Sequence, residues 1–205
     1  MKPDEIEFPP VICLTLVEEK WKRQQLERHF LTQGIEAHYV DGFQGITLGL
    51  RATNPHAYTD KGDGLFIHGS QIGCALSHRM CLTYGLTSQF DEFIVVEDDV
   101  RFVPHVKKLW DNMWSEKPDD AEVVNLGYAM PGEFDVHGQR VSGFMPDYEK
   151  VGGAFARCNS YPYRTEAIWW TRKAAEKACK QLRPFDQPYD LMLIQRLYPF
   201  VAFRS

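Results

Sequence analysis

The chain has no excess of positive charge: 23 Lys and Arg stand against 28 Asp and Glu in 205 residues, a formal net charge of -5. Without a basic stripe it lacks the field that draws phosphate backbones or anionic lipid, which argues against nucleic acid as a partner. It has few cysteines, at 13, 74, 81, 158 and 179, an odd number with no CxxC pair. That excludes the usual disulfide framework and zinc-knuckle spacing and predicts reduced, mostly buried thiols. No apolar run approaches membrane length, and the first ten residues, MKPDEIEFPP, carry acids and prolines where a signal peptide needs basic and then apolar residues. The expectation is a soluble cytoplasmic chain, with a peripheral position at a membrane as the alternative. A glycine-rich loop of the P-loop or Rossmann type, internal repeats and low-complexity tracts are also missing.

What is present is 44% hydrophobic and 13% aromatic residues, enough to bury a sizeable core, and we read residues 1–205 as one domain. Residues 10–16 (PVICLTL) form a short apolar run of buried-strand type, followed by a charged helix that stops at Gly34. AHYV (37–40) predicts a second strand. Residues 41–69 are rich in Gly, Asn, Asp and Pro and are expected to form a long loop. Ser70 is placed to cap a helix over 71–85 ending at Gly85, and EFIVVE (92–97) is the next strand. A helix over 105–114, a strand over 122–127, a loop over 130–163, a strand AIWWT and two closing helices, RKAAEKACKQL and YDLMLIQRL, complete the chain. Strands alternating with helices predict an α/β fold, a mainly parallel central sheet flanked by helices, with ligands beyond the carboxyl ends of the strands.

One such end reads IVVEDDVRF (94–102), three consecutive carboxylates after an apolar strand. Two carboxylates about 4.5 Å apart repel by roughly 3 to 4 kcal/mol at an effective dielectric near 20. A divalent cation offsets that cost, since Mg²⁺ and Mn²⁺ take oxygen ligands from one or two carboxylates and from substrate phosphates. The ordinary alternative is a solvated strand end. If the chain stays extended there, Glu97 and Asp99 point to one side and Asp98 to the other. The motif also resembles the first strand of a response-regulator receiver, but that fold needs a later apolar strand ending in Asp and another ending in Lys. Asp147 follows FMP in a loop and no apolar run ends in Lys.

The combination GSQIGCALSH (69–78) with FIVVEDDVRF (93–102) resembles glycosyltransferase family 25, which includes lipopolysaccharide glycosyltransferases and procollagen galactosyltransferases. PVICLTL with Lys22 and Arg23, YVDG (39–42), EVVNLG, YPYRTEAIWWTRKAAEKA (161–178) and PYDLML (188–193) are similar to further family segments in the same order. Thr15 stands where the family usually has Asn, Gln71 where it has Glu and Ile168 where it has Tyr.

The resemblance implies a glycosyltransferase A-type fold, a UDP-sugar donor, Mn²⁺ or Mg²⁺ as cofactor, and inverting transfer of a hexose to a hydroxyl of a glycan or other acceptor. A non-catalytic homologue that binds the nucleotide sugar is the alternative. It implies Asp99 and Asp98 as metal ligands, with donor contacts at Thr15, Leu16, Lys22, Arg23, Glu97, Asp98 and His78. Inversion needs a base for the acceptor hydroxyl, and Asp190, or Asp186 before it, is the candidate. The plain role for either Asp is to cap the helix that follows. His78, inside a helix, is in most proteins a hydrogen-bonded core residue. Trp169, Trp170, Tyr161 and Tyr163 could stack on a sugar, although alternation along a strand should bury one of the tryptophans.

Overall fold

A computed structural model describes residues 6–45, 52–58, 64–67, 69–127, 148–158, 165–182, 189–197 and 200–202. In chain order the elements are β1 (Val11–Thr15), α1 (Lys20–Thr32), β2 (Ala37–Asp41), β3 (Ala52–Tyr58), β4 (Gly64–Ile67), α2 (Gly69–Thr87), β5 (Glu92–Val96) and α3 (Val106–Trp114). There follow β6 (Val123–Gly127), β7 (Tyr148–Gly152), β8 (Phe155–Cys158), β9 (Ala167–Thr171), α4 (Arg172–Gln181), α5 (Tyr189–Leu197) and β10 (Phe200–Ala202).

Among the described residues these make an eight-stranded sheet in the order β2-β1-β5-β9-β6-β10-β8-β7, with β3 and β4 paired apart from it. β1 pairs in parallel with β2 and β5, and β6 with β10, whereas β9 runs antiparallel between β5 and β6 and β8 antiparallel between β10 and β7. Six strands therefore point one way and β8 and β9 the other. The α/β expectation with a mainly parallel sheet holds, and the reversed β9 is what the strand-helix alternation could not disclose.

Every residue of β1 is buried, as a strand covered on both faces requires, and its side chains alternate between two cores. Ile12 and Leu14 face α2, α4 and α5, while Val11 and Cys13 face Leu26 and Phe30 of α1 and Trp110 and Trp114 of α3. β9 divides in the same way. Trp170 enters the first core and Trp169 the second, where its ring meets Trp114 edge-on at 4.8 Å. Both tryptophans are buried, at 0% and 1% exposure, so neither is open to a sugar; a central strand has no solvent face.

Other departures from expectation are local. The loops read over 41–69 and 130–163 contain the hairpins β3–β4 and β7–β8, whose short strands, with Pro55 and Asn54 in β3 and Gly152 in β7, give no clear alternation. β10, three residues long, was not predicted for the same reason. The second helix starts at Gly69, not after a Ser70 cap, and continues past Gly85 to Thr87. Gly85 serves packing instead: a Cβ there would lie 2.6 Å from the Phe93 ring of β5. Gly34 does end α1, in a left-handed conformation with φ +65°. No helix of the described residues is long and apolar enough to cross a membrane.

Candidate functional site

The segment GSQIGCALSH lies on α2, and its small and polar residues have separate tasks. Gly73 allows a backbone crossing, because a Cβ would meet Gly45 N and Phe43 O, each at 2.6 Å. One turn on, Ser77 Oγ accepts the Phe43 N–H at 2.7 Å and donates to Gly73 O at 2.6 Å. The chain leaving β2 is thus tied to α2 beside the carboxyl end of β1, where Gly42 N–H also donates to Thr15 O at 2.7 Å. His78, the next residue, is wholly buried and points to the other neighbour of β1. Its Nε2 is 2.9 Å from Glu97 Oε1, immediately after β5.

The three acids do not continue the strand. β5 ends at Val96, and the Val100 N–H donates to Glu97 O at 3.3 Å, closing a turn over residues 97–100. The alternating placement expected for an extended chain is therefore replaced by a turn in which each acid meets different surroundings. Glu97 is held twice: its Oε1 accepts from Thr165 Oγ1 at 2.6 Å as well as facing His78, and its backbone N–H donates to Glu166 O at 2.8 Å. Asp98 is 3.6 Å from Lys22 Nζ of α1, which also pairs with Glu19. Asp99 is exposed.

The electrostatics follow these contacts. Burial raises the Asp98 carboxyl to about 6; Lys22 opposes the rise, while Glu19 and Asp99 add to it. Burial alone would lower His78, but Cys74 and the Glu97 carboxylate outweigh it and hold the imidazole up at about 10. The ring is also stacked on Tyr189, the first residue of α5, at 4.5 Å and 27°. The Tyr189 phenol is raised well above its usual value by burial, and among the described residues its hydroxyl has no hydrogen-bond partner.

Two groups of side chains could hold a cation. Asp98 and Asp99 offer hard carboxylate oxygens at the mouth of the turn, suited to Mn²⁺ or Mg²⁺. Cys74, His78 and Glu97 each bring a ligand atom within 4.8 Å of the others, an S, N and O set suited to a softer ion. The sequence reading passed over Cys74; its place four residues before His78 on one helix face was the available signal.

The remaining expected site residues fall around this turn or outside the description. Thr15 ends β1, buried, with its hydroxyl unpartnered among the described residues, and Leu16 follows half-buried. Arg23 is drawn to Glu27 at 3.2 Å, to Asp41 at 3.7 Å and over the Tyr39 ring at 4.5 Å. Asp190 is the second residue of α5. Asp186, Tyr161 and Tyr163 lie outside the described residues. Cysteines 13, 74, 81 and 179 are free thiols, 13 and 81 buried and 74 and 179 half-buried.

The sequence profile of glycosyltransferase family 25 (LPS biosynthesis protein) matches residues 8–193. Procollagen galactosyltransferase 2 of Homo sapiens is 29% identical over 135 residues, 61% of this chain and 21% of that protein. Its Mus musculus counterpart is 29% identical over 112 residues, 52% of this chain and 18% of that protein. The chain thus spans about a fifth of the length of these curated relatives. Among solved structures, a glycosyltransferase involved in the glycosylation of the major capsid of PBCV-1 aligns with a TM-score of 0.45 at 10% identity, covering 96% of this chain and 81% of that one.

Proposed function

The chain belongs to glycosyltransferase family 25, and from that premise we propose a metal-dependent, inverting hexosyltransferase of A-type fold that uses a UDP-sugar. Galactose is the favoured sugar, by analogy with the named relatives. The acceptor is a hydroxyl of a glycan or of a hydroxylated side chain; the acidic charge balance speaks against nucleic acid.

The observation that carries this reading is the division of labour among the three acids. Glu97 is engaged by His78 and Thr165, Asp98 lies 3.6 Å from the Lys22 ammonium, and Asp99 faces solvent. Asp99 and Asp98 would hold Mn²⁺ or Mg²⁺, which as a Lewis acid neutralises charge on a diphosphate leaving group. Asp98 binds such an ion as the carboxylate, so its raised pKa favours loading above pH 6. Lys22, 3.6 Å from Asp98, would meet a phosphate oxygen of the donor. Glu97, held at Oε1 by His78 and Thr165, is suited to a hydroxyl of the donor ribose. Asp190 is the proposed base that takes the acceptor proton, with Asp186 as the alternative.

The test is donor binding followed by turnover. A ligand that binds only the folded state stabilises it by about 2.7 kcal/mol at a hundredfold excess over Kd, so UDP with Mn²⁺ should raise Tm by several degrees and UDP alone much less. Binding with no transfer to any glycan acceptor and no donor hydrolysis would favour the non-catalytic homologue. No shift with any nucleotide at millimolar concentration would reject the donor assignment.

A further inference from the structure

His78 is a buried polar ring in a core that is otherwise almost wholly apolar. Packing alone gives no reason for it, since Leu or Phe would fill the space without a desolvation cost. Its surroundings do. The ring edge meets Glu97 at 2.9 Å, at the start of the acidic turn, and the ring face lies on Tyr189, next to Asp190 in α5. One side chain therefore touches both elements to which the proposed reaction assigns its two halves. The turn carries the donor and metal residues, and α5 carries the candidate base. At 0% exposure, with the ring face covered, His78 is inside the wall and not on the surface a nucleotide would meet.

We propose that His78 is a positioning residue which fixes the acidic turn through its bond to Glu97 and seats the first turn of α5 through its stack on Tyr189. This rests on the glycosyltransferase reading above and adds a coupling between the two halves of its site. Three observations support it. The bond and the stack use different parts of the ring, so they hold together rather than compete. The same oxygen, Glu97 Oε1, also accepts from Thr165 Oγ1, and the Glu97 backbone N–H donates to Glu166 O, which leaves the turn little freedom once His78 is in place. The neighbouring Ser77 makes the corresponding tie to the chain after β2. A single turn of α2 thereby braces the segments that follow two parallel strands, β2 and β5, the region where this class of sheet binds ligands.

Two substitutions separate the bond from the stack. His78→Phe keeps an aromatic face for Tyr189 and removes the donor to Glu97. His78→Gln keeps an N–H close to the position of Nε2 and removes the face. Residues that orient a first layer of ligands cost about 10- to 100-fold in affinity or activity when lost. His78→Phe should accordingly weaken binding of UDP with Mn²⁺ by about tenfold or more. His78→Gln should leave that binding within about threefold and lower kcat by roughly tenfold. Thr165→Val, outside the helix, should act in the direction of His78→Phe with a smaller effect, and serves if a His78 variant does not fold.

A readout independent of turnover is the imidazole N–H of His78 in ¹⁵N-histidine NMR of the resting protein, expected as an exchange-protected resonance that disappears in His78→Phe. If that resonance is present and the wild type binds no nucleotide sugar, the glycosyltransferase reading fails while the brace stands. If the wild type binds UDP with Mn²⁺ and both His78 variants match it in Kd and kcat, the inference is overturned. It is also overturned if Zn²⁺ alone binds at one equivalent, abolishes the resonance and requires Cys74, since His78 is then a ligand and not a brace.

Discussion

The two faces of the central sheet are built from different materials. The face under α1 and α3 is an aromatic wall: Trp110 stacks on Trp114 at 3.8 Å, Trp114 meets Trp169 and Phe155 edge-on, and Phe8 packs against Trp110. The face under α2, α4 and α5 is mostly aliphatic and alanine-lined, yet it contains His78 and Tyr189, a stacked polar pair below the acidic turn. Large aromatic rings bring burial energy through their area, but their buried indole N–H groups, such as those of Trp110 and Trp169, carry the same need for a partner as a buried imidazole. The first face gathers most of the buried aromatic rings, whereas the second buries a polar pair beside the charged turn.

The largest expected effect lies on the aromatic face. Trp169→Ala should lose about 3 to 5 kcal/mol in urea unfolding, since it removes a fully buried ring against Trp114. A loss below 1 kcal/mol would show that the wall is not the anchor.

On the other face the largest effect should fall on activity. Asp99→Asn removes an exposed charge beside Asp98, so metal-free stability should change by no more than about 0.5 kcal/mol while metal-dependent transfer falls by about a hundredfold. Unchanged transfer would take Asp99 out of the metal site.

A smaller effect concerns pH. In the metal-free protein Asp98 has a folded pKa raised from 3.8 to about 6, so between these values the folded state binds a proton that the unfolded chain releases. Stability should therefore fall as pH rises from about 4 to about 6 and level off above about 7. Asp98→Asn should flatten that slope by about 1 kcal/mol, allowing for the residue's remaining exposure. A slope unchanged in the variant would assign it to another group.

The smallest effect is expected at Arg23, whose partners Glu27 and Asp41 are both exposed. Arg23→Ala should shift stability by about 0.5 kcal/mol or less. If it also raises the donor KM by tenfold or more, the basic pair reaches the diphosphate and the polar side of the molecule extends to α1.

Much of this architecture was legible in the residues. The apolar runs at β1, β5 and β9 and the charged or alanine-rich stretches of α1 and α4 declare themselves by period, and the acids after β5 declare a strand end with a cost to offset. Hairpins with Pro or Gly in short strands, β3–β4 and β7–β8, had no period to read. At the site, the residue types were apparent but not their pairings.

The sequence by itself determined the alternation of the longer strands and helices and the placement of three carboxylates beyond a buried strand, because local periodicity is a property of contiguous residues. Tertiary structure decided which acid meets which partner. Glu97 is joined to His78 nineteen positions earlier and to Thr165 sixty-eight positions later, and His78 in turn to Tyr189. No local pattern encodes such contacts. They exist because α2 and α5 pack on the same sheet face, and because β9 reverses direction between β5 and β6 and so delivers Thr165 and Glu166 to the carboxyl end of β5.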